Sequence, residues 1–198
     1  MGLEANAAGD YPELAPTAYV HPTATVIGRV YVRDLAFIGP HAVIRADEPG
    51  PDGTIKSIVI GESANVQDCA IIHALGGTGV TIGQRTSIAH AAVIHGPCQI
   101  GVGCFVGFNS VVFHATLGDG VVVMHQALVE WAVVPEGLLV PSMTAVRCDY
   151  EASHLKRVPM EIIAFVERVT NVNVLLAETA FKGQQDQWPP PAARDLHR

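Results

Sequence analysis

An aliphatic residue recurs at every sixth position along most of the chain, and the residue four places later is usually small. The series opens with Val20, Val26, Val32, Ile38 and Ile44 and resumes at Ile60, Val66 and Ile72. After a second, shorter skip it runs Ile82, Ile88, Ile94, Ile100, Val106 and Val112, drops one residue, and continues through Leu117, Val123 and Val129. A period of six matches neither the 3.6 of an amphipathic helix nor the alternation of a strand meander. It matches a parallel β-helix, an all-β solenoid in which three short strands make a coil of about 18 residues and the aliphatic side chain points into a triangular prism. A β-sandwich of unusually regular strands is the competing reading, and so many in-phase positions argue against it. Glycine often follows the aliphatic residue, as at Gly39, Gly61, Gly83, Gly101 and Gly107, and is expected to let the backbone turn a corner.

The interruptions are informative. Between Ile44 and Ile60 the excess is the turn-rich Glu48-Pro49-Gly50-Pro51-Asp52-Gly53, and between Ile72 and Ile82 it lies around Leu75 to Gly79. Excursions from a rigid solenoid are frequent functional positions. Beyond Val129 the beat fades through Pro135-Glu136-Gly137. From about Asp149 the pattern turns helical, with Pro159 suited to a first turn and Ile162, Phe165, Val166, Val169, Val172, Leu175 and Leu176 following a spacing of three and four. This divides the chain into an N-terminal extension (1–17), a β-helix domain (18–148), a C-terminal helical segment packed on it (149–183) and a polar, proline-rich tail (184–198).

Composition narrows the function. Hydrophobic residues make up 49% of the 198 and charged residues only 16%, as expected when other copies of the chain cover much of the surface. A net charge of −7 without a Lys/Arg cluster argues against nucleic acid or an anionic membrane as partner. No apolar run reaches the roughly 18 residues of a membrane span. The N-terminus carries neither a basic nor an apolar signal region. Cys69, Cys98, Cys104 and Cys148 form no Cys-x-x-Cys pair and read as small buried residues. The expected location is cytoplasmic.

Three of the nine histidines then stand out. Label the side of Ile44, Ile72 and Ile94 as face A, that of Ile60 and Ile82 as B, and that of Val66 and Ile88 as C. His73 and His95 each follow a face-A isoleucine by one, separated by one coil plus the short excursion. They should stack on consecutive coils about 4.8 Å apart, with Arg45 above them and Phe113 below. His90 follows the face-C Ile88 by two and points elsewhere. A cyclic trimer presenting one subunit's C side to its neighbour's A side would bring it to the other two, and Gln67 with it. Three imidazoles and a water form a catalytic zinc sphere, with iron as an alternative.

At this point the chain resembles the γ-class carbonic anhydrases and their hexapeptide-repeat relatives. The matching strings are Val43-Ile44-Arg45-Ala46-Asp47-Glu48, Asn65-Val66-Gln67-Asp68, Ile72-His73-Ala74, Ile88-Ala89-His90, Val93-Ile94-His95-Gly96-Pro97 and Val172 to Glu178. The resemblance implies a homotrimer of left-handed parallel β-helices, each with a C-terminal α-helix, hydrating CO2 to bicarbonate. It implies His73, His90 and His95 as ligands of Zn2+ (or Fe2+ or Co2+), and Arg45 and Asp47 as a pair at the subunit boundary. Gln67 would hydrogen-bond the hydroxide, Asn173 would orient CO2 or bicarbonate, and Glu48 would take part in proton transfer. The turn Ala74 to Val80 lacks the acidic proton-shuttle loop of the founding type and resembles the subgroup without it. Two other functions compete: hydrolysis of a thioester or lactone by the same hydroxide, and a non-catalytic trimeric scaffold. A hexapeptide acyltransferase shares the coil but does not need three histidines.

Overall fold

The structure, a computed structural model, describes residues 2–186. The six-residue beat becomes three parallel sheets that share one interior. Face A has eight strands, from Gly2–Glu4 through Val43–Ala46, Ile71–Ala74 and Val93–Gly96 to Ala145–Val146. Face B has seven, from Glu13–Leu14 to Val133–Val134. Face C has eight, running from Tyr19–Val20 to Leu138–Val140, where the antiparallel Lys156–Arg157 closes it. Ile38, Ile44, Ile60, Ile72, Ile82, Ile88 and Ile94 are wholly buried along the prism. Each coil hydrogen-bonds to the next, so the ladder that pairs the backbone also sets which side chains stand above one another.

Three expectations about the solenoid need correction. The beat does not fade after Val129: another residue drops out, and Val134, Val140 and Val146 continue it as buried residues of faces B, C and A. Proline and glycine in the intervening turns hide the pattern without breaking it. Residues of the N-terminal extension also join the solenoid, since Gly2–Glu4 pairs with Thr25–Ile27 and Glu13–Leu14 with Tyr31–Val32. Finally, the glycines after the aliphatic residues are not the corner makers. Positive φ falls two places further on and is carried mostly by other residues, among them Leu35, His41, Cys69, Arg85, Ala91 and Asn109. Such a conformation costs of order 1–3 kcal/mol at a non-glycine residue, and the ladder on either side offsets it. Glycine at 83 has a different cause: a Cβ there would collide with the Gly101 carbonyl of the next coil.

The C-terminal segment is two helices rather than one. Helix α1 (Asp149–Ser153) ends at His154, and after the Lys156–Arg157 strand helix α2 spans Met160–Asp186. Pro159 precedes α2, and its carbonyl accepts from the Ile162 and Ile163 amides. The helix runs back along face C: Phe165 meets Phe105 edge to face at 5.7 Å, Asn171 accepts from Arg85, and Asn173 accepts from Gln67. Its inward line is Val166, Thr170, Asn173 and Ala177, all buried. Val172, Leu175 and Leu176, expected to be covered, are 56%, 60% and 46% exposed in the single chain. The 184–198 tail begins within α2, and residues 187–198 lie outside the described region. None of the described helices is long and apolar enough to cross a membrane.

The cysteines divide. Cys98 and Cys104 are buried beside the prism, and burial pushes both thiols up, Cys104 to about 11 from an ordinary 9.0. Cys69 and Cys148 are exposed, contrary to the expectation that all four are buried. Cys69 occupies a positive-φ corner, where the side chain points out of the prism.

Candidate metal centre

Face A builds the first half of the site. His73 pairs in register with Arg45 on one side and His95 on the other, and His95 pairs with Phe113. The predicted column is therefore present. Nδ1 of His73 and Nε2 of His95 lie 3.3 Å apart, at the end of the strands where the chain leaves for face B.

The outer partners of the two rings decide what that approach means. His95 Nδ1 stands 3.2 Å from the Gly96 carbonyl, so the proton on Nδ1 donates there and the Nε2 lone pair faces His73. His73 Nε2 lies 3.3 Å from Asp47 Oδ1, 3.6 Å from Glu48 Oε1 and 3.3 Å from Arg45 Nη2. When Nε2 donates to Asp47, the Nδ1 lone pair faces His95, and two lone pairs converge on one point. When Nε2 instead accepts from Arg45, Nδ1–H bridges the rings. A metal ion would select the first arrangement, and the distance would suit one: two nitrogens at about 2.0–2.1 Å from a tetrahedral zinc stand roughly 3.3–3.4 Å from each other. The carboxylate behind His73 is the outer-sphere partner that metal-bound imidazoles ordinarily have. Arg45 Nη1 donates to Asp47 Oδ2 at 2.9 Å and so fixes that carboxylate. Glu48 is held by the other excursion, its Oε2 accepting from the Gly76 amide at 3.1 Å.

The second half stands on another edge. His90 is exposed after face C, with its Nδ1 3.5 Å from Asp68 Oδ2 and its ring 5.4 Å from Phe108. Gln67 Nε2 donates to Asn65 Oδ1 and to Asn173 Oδ1, each at 3.0 Å. Both amide protons of Gln67 are thus committed, leaving Oε1 to accept. The chain does not bring His90 to His73 and His95. Among the described residues no three His, Cys, Asp or Glu side chains of one chain form a metal-holding cluster.

Two supporting residues were missed. Asn65 and Ser87 are buried, and Asn65 Nδ2 donates to Ser87 Oγ at 2.7 Å beneath Gln67. The signal was available. The position before each face-C aliphatic reads Tyr19, Phe37, Asn65, Ser87, Phe105 and Val122, so two polar residues interrupt an apolar row that lies under α2.

No family model matches the chain. The carboxysome assembly protein CcmM of Synechocystis sp. is 37% identical over 169 residues, covering 80% of this chain and 24% of that protein. In three CcmM proteins the alignments span 24 to 34% of their length. A carbonic anhydrase of Methanosarcina thermophila is 31% identical over 188 residues, covering 84% of this chain and 74% of the enzyme. Among solved structures, a hexapeptide transferase family protein from Anaplasma phagocytophilum superposes with a TM-score of 0.73 at 25% identity, over 90% of this chain and 97% of that one. The structural likeness shows the solenoid with its terminal helix, and the sequence likeness runs through the histidine-bearing strands. The chain belongs to the γ-class carbonic anhydrase family of hexapeptide-repeat proteins.

Proposed function

We propose that the protein is a metal-dependent carbonic anhydrase whose sites lie at the boundaries of a homotrimer. His73 and His95 of one subunit and His90 of the next would hold Zn2+, with Fe2+ or Co2+ as alternatives. The observation that carries this reading is the convergence of the His73 and His95 nitrogens at 3.3 Å, each ring oriented from behind by an acceptor. When bound, a zinc ion held by three imidazoles supplies hydroxide at neutral pH, lowering the pKa of water to about 7.

The chain's own residues do the rest. Gln67 Oε1 accepts a hydrogen bond from the nucleophile and so aims its lone pair. The Asn173 amide donates to an oxygen of CO2 as negative charge develops there, the kind of preorganised donor that contributes most in a site shielded from water. Arg45 holds the Asp47 side chain in its place, and Asp47 keeps the His73 ring from turning. Glu48, about half exposed, receives the proton through water and passes it to buffer. No acid in the turn after His73 shares that task.

A second reading is favoured by the likeness to a carboxysome assembly protein: a trimeric scaffold that keeps the metal without turnover. Metal analysis and stopped-flow CO2 hydration on anaerobically purified protein separate the two. One metal per chain with hydration above the buffer rate is the expected result. Metal with no hydration would overturn the enzyme reading and raise the scaffold and the thioester or lactone hydrolase, and no metal would remove every reading that depends on one.

A further inference from the structure

The edge between faces B and C, on the far side of α2 from Gln67 and His90, carries an open cleft of about 530 Å³. Its back is a column of glycines. Gly103, Gly120 and Gly137 sit at the B-to-C corner of three successive coils, with φ of 64, 63 and 64°. Earlier coils put Leu35, Ser63 and Arg85 at that corner with φ of 54, 55 and 56°, so the backbone tolerates side chains there. A Cβ on Gly103 or Gly120 would meet nothing within 4 Å, whereas one on Gly137 would meet Arg157 Nη1 at 2.9 Å. The absent side chains at 103 and 120 therefore leave a trough on consecutive coils, closed at the Gly137 level by Arg157.

The trough is apolar within and cationic at its rim. Val102, Val122 and Val158 line the solenoid side, and Ile163 and Val166 line the α2 side. Arg85 stands at one end, donating from Nη2 to Asn171 Oδ1 at 2.8 Å. Arg157 stands at the other, donating from Nη1 to the Glu136 carbonyl at 3.0 Å. Each guanidinium keeps further N–H donors for a carboxylate. Glu167 is the only acid among the lining residues, so the rim carries a net positive charge on a chain whose formal charge is −7. The two arginines belong to levels three coils apart, about 14 Å at ~4.8 Å per coil. The volume falls within the roughly 300–1,000 Å³ of small-molecule pockets.

We infer that this cleft binds an elongated acyl chain ending in a carboxylate, with the chain laid along the glycine column and the carboxylate on a rim guanidinium. The site is separate from the candidate metal centre. In the proposed trimer the A–B edge of one subunit meets the C–A edge of the next, and the B–C edge faces outward, so the cleft stays open.

Calorimetric titration of the full chain tests this, with decanoate as the probe and decyltrimethylammonium as the control of opposite charge. Decanoate should saturate at one per chain, and the cation should bind at least tenfold more weakly. Gly120→Leu should abolish decanoate binding while thermal melting and metal content stay as in the wild type. The surface double variant Arg85→Ala/Arg157→Ala should weaken it tenfold or more, a readout that holds even if leucine at 120 disturbs the coil. Failure to saturate, equal binding of the cation, or unchanged decanoate binding in both variants overturns the inference.

Discussion

Two edges of the same prism are built for different halves of one task. The A–B edge, with His73, His95, Arg45, Asp47 and Glu48, brings two imidazole nitrogens and two carboxylates together, the half that would hold a cation in the proposed reading. The C–A edge, with His90, Gln67 and Asn173, offers one further imidazole and a set of amides braced by α2. The first edge lacks a third ligand and a substrate donor; the second lacks the pair that would hold a metal. The difference teaches that a solenoid aligns side chains of one face superbly, because hydrogen-bonded coils enforce register, but separates faces by the width of its core. Chemistry that needs both faces must be assembled between copies.

The largest effect that can break this comparison is expected from His90→Ala. It should reduce bound metal from one per chain to none and abolish CO2 hydration, while circular dichroism shows the coil intact, since His90 is exposed and its ring stands beside the half-exposed Asp68 side chain and the exposed Phe108. Metal retained at wild-type content in that variant would put the whole site on face A. Asn173→Ala acts on the amide half alone. Metal content should stay, and kcat should fall roughly 10²–10³-fold, the cost of losing one preorganised donor. A smaller effect on the other edge is expected from Asp47→Asn: metal affinity should drop about 10–100-fold, the usual cost of losing an outer-sphere partner, as read by competition with a chelator. A control away from both edges is the buried Cys104. Its thiol is raised from 9.0 to about 11 by burial, so the folded state keeps a proton that the unfolded state loses. That contribution, ~2–3 kcal/mol, is complete below pH 9 and disappears as pH climbs towards 11. Denaturant midpoints should fall over this window in the wild type and less so in Cys104→Ala.

Much of the fold was legible because the prism interior repeats one demand at every sixth residue. The same regularity placed His95 over His73 across a four-residue excursion, and register pairs Ile72 with Ile94 as the beat requires. What escaped has physical reasons. Glycine and proline in the final coils masked Val134, Val140 and Val146, and the first coil carries too few aliphatics to announce itself. The corners were assigned to the wrong glycines because close approach between coils and positive φ both favour glycine, and a sequence does not separate the two. On α2, apolar spacing marked Val172, Leu175 and Leu176 for burial against the β-helix or a neighbour's helix; within one chain the helix turns Thr170, Asn173 and Ala177 inward. That choice follows the polar pair Asn65 and Ser87 on the sheet beneath, which gives Gln67 and Asn173 a polar floor.

The central claim is that His90 and His95, five residues apart, serve different metals in neighbouring subunits. Co-expression of His90→Ala with His95→Ala chains tests it most directly. Each variant alone should carry no metal. In randomly mixed trimers about a quarter of the boundaries join an intact His73–His95 pair to an intact His90, so metal content and CO2 hydration should return to roughly a quarter of wild type. No recovery in mixed trimers, with mixing verified by mass spectrometry, would contradict the shared site.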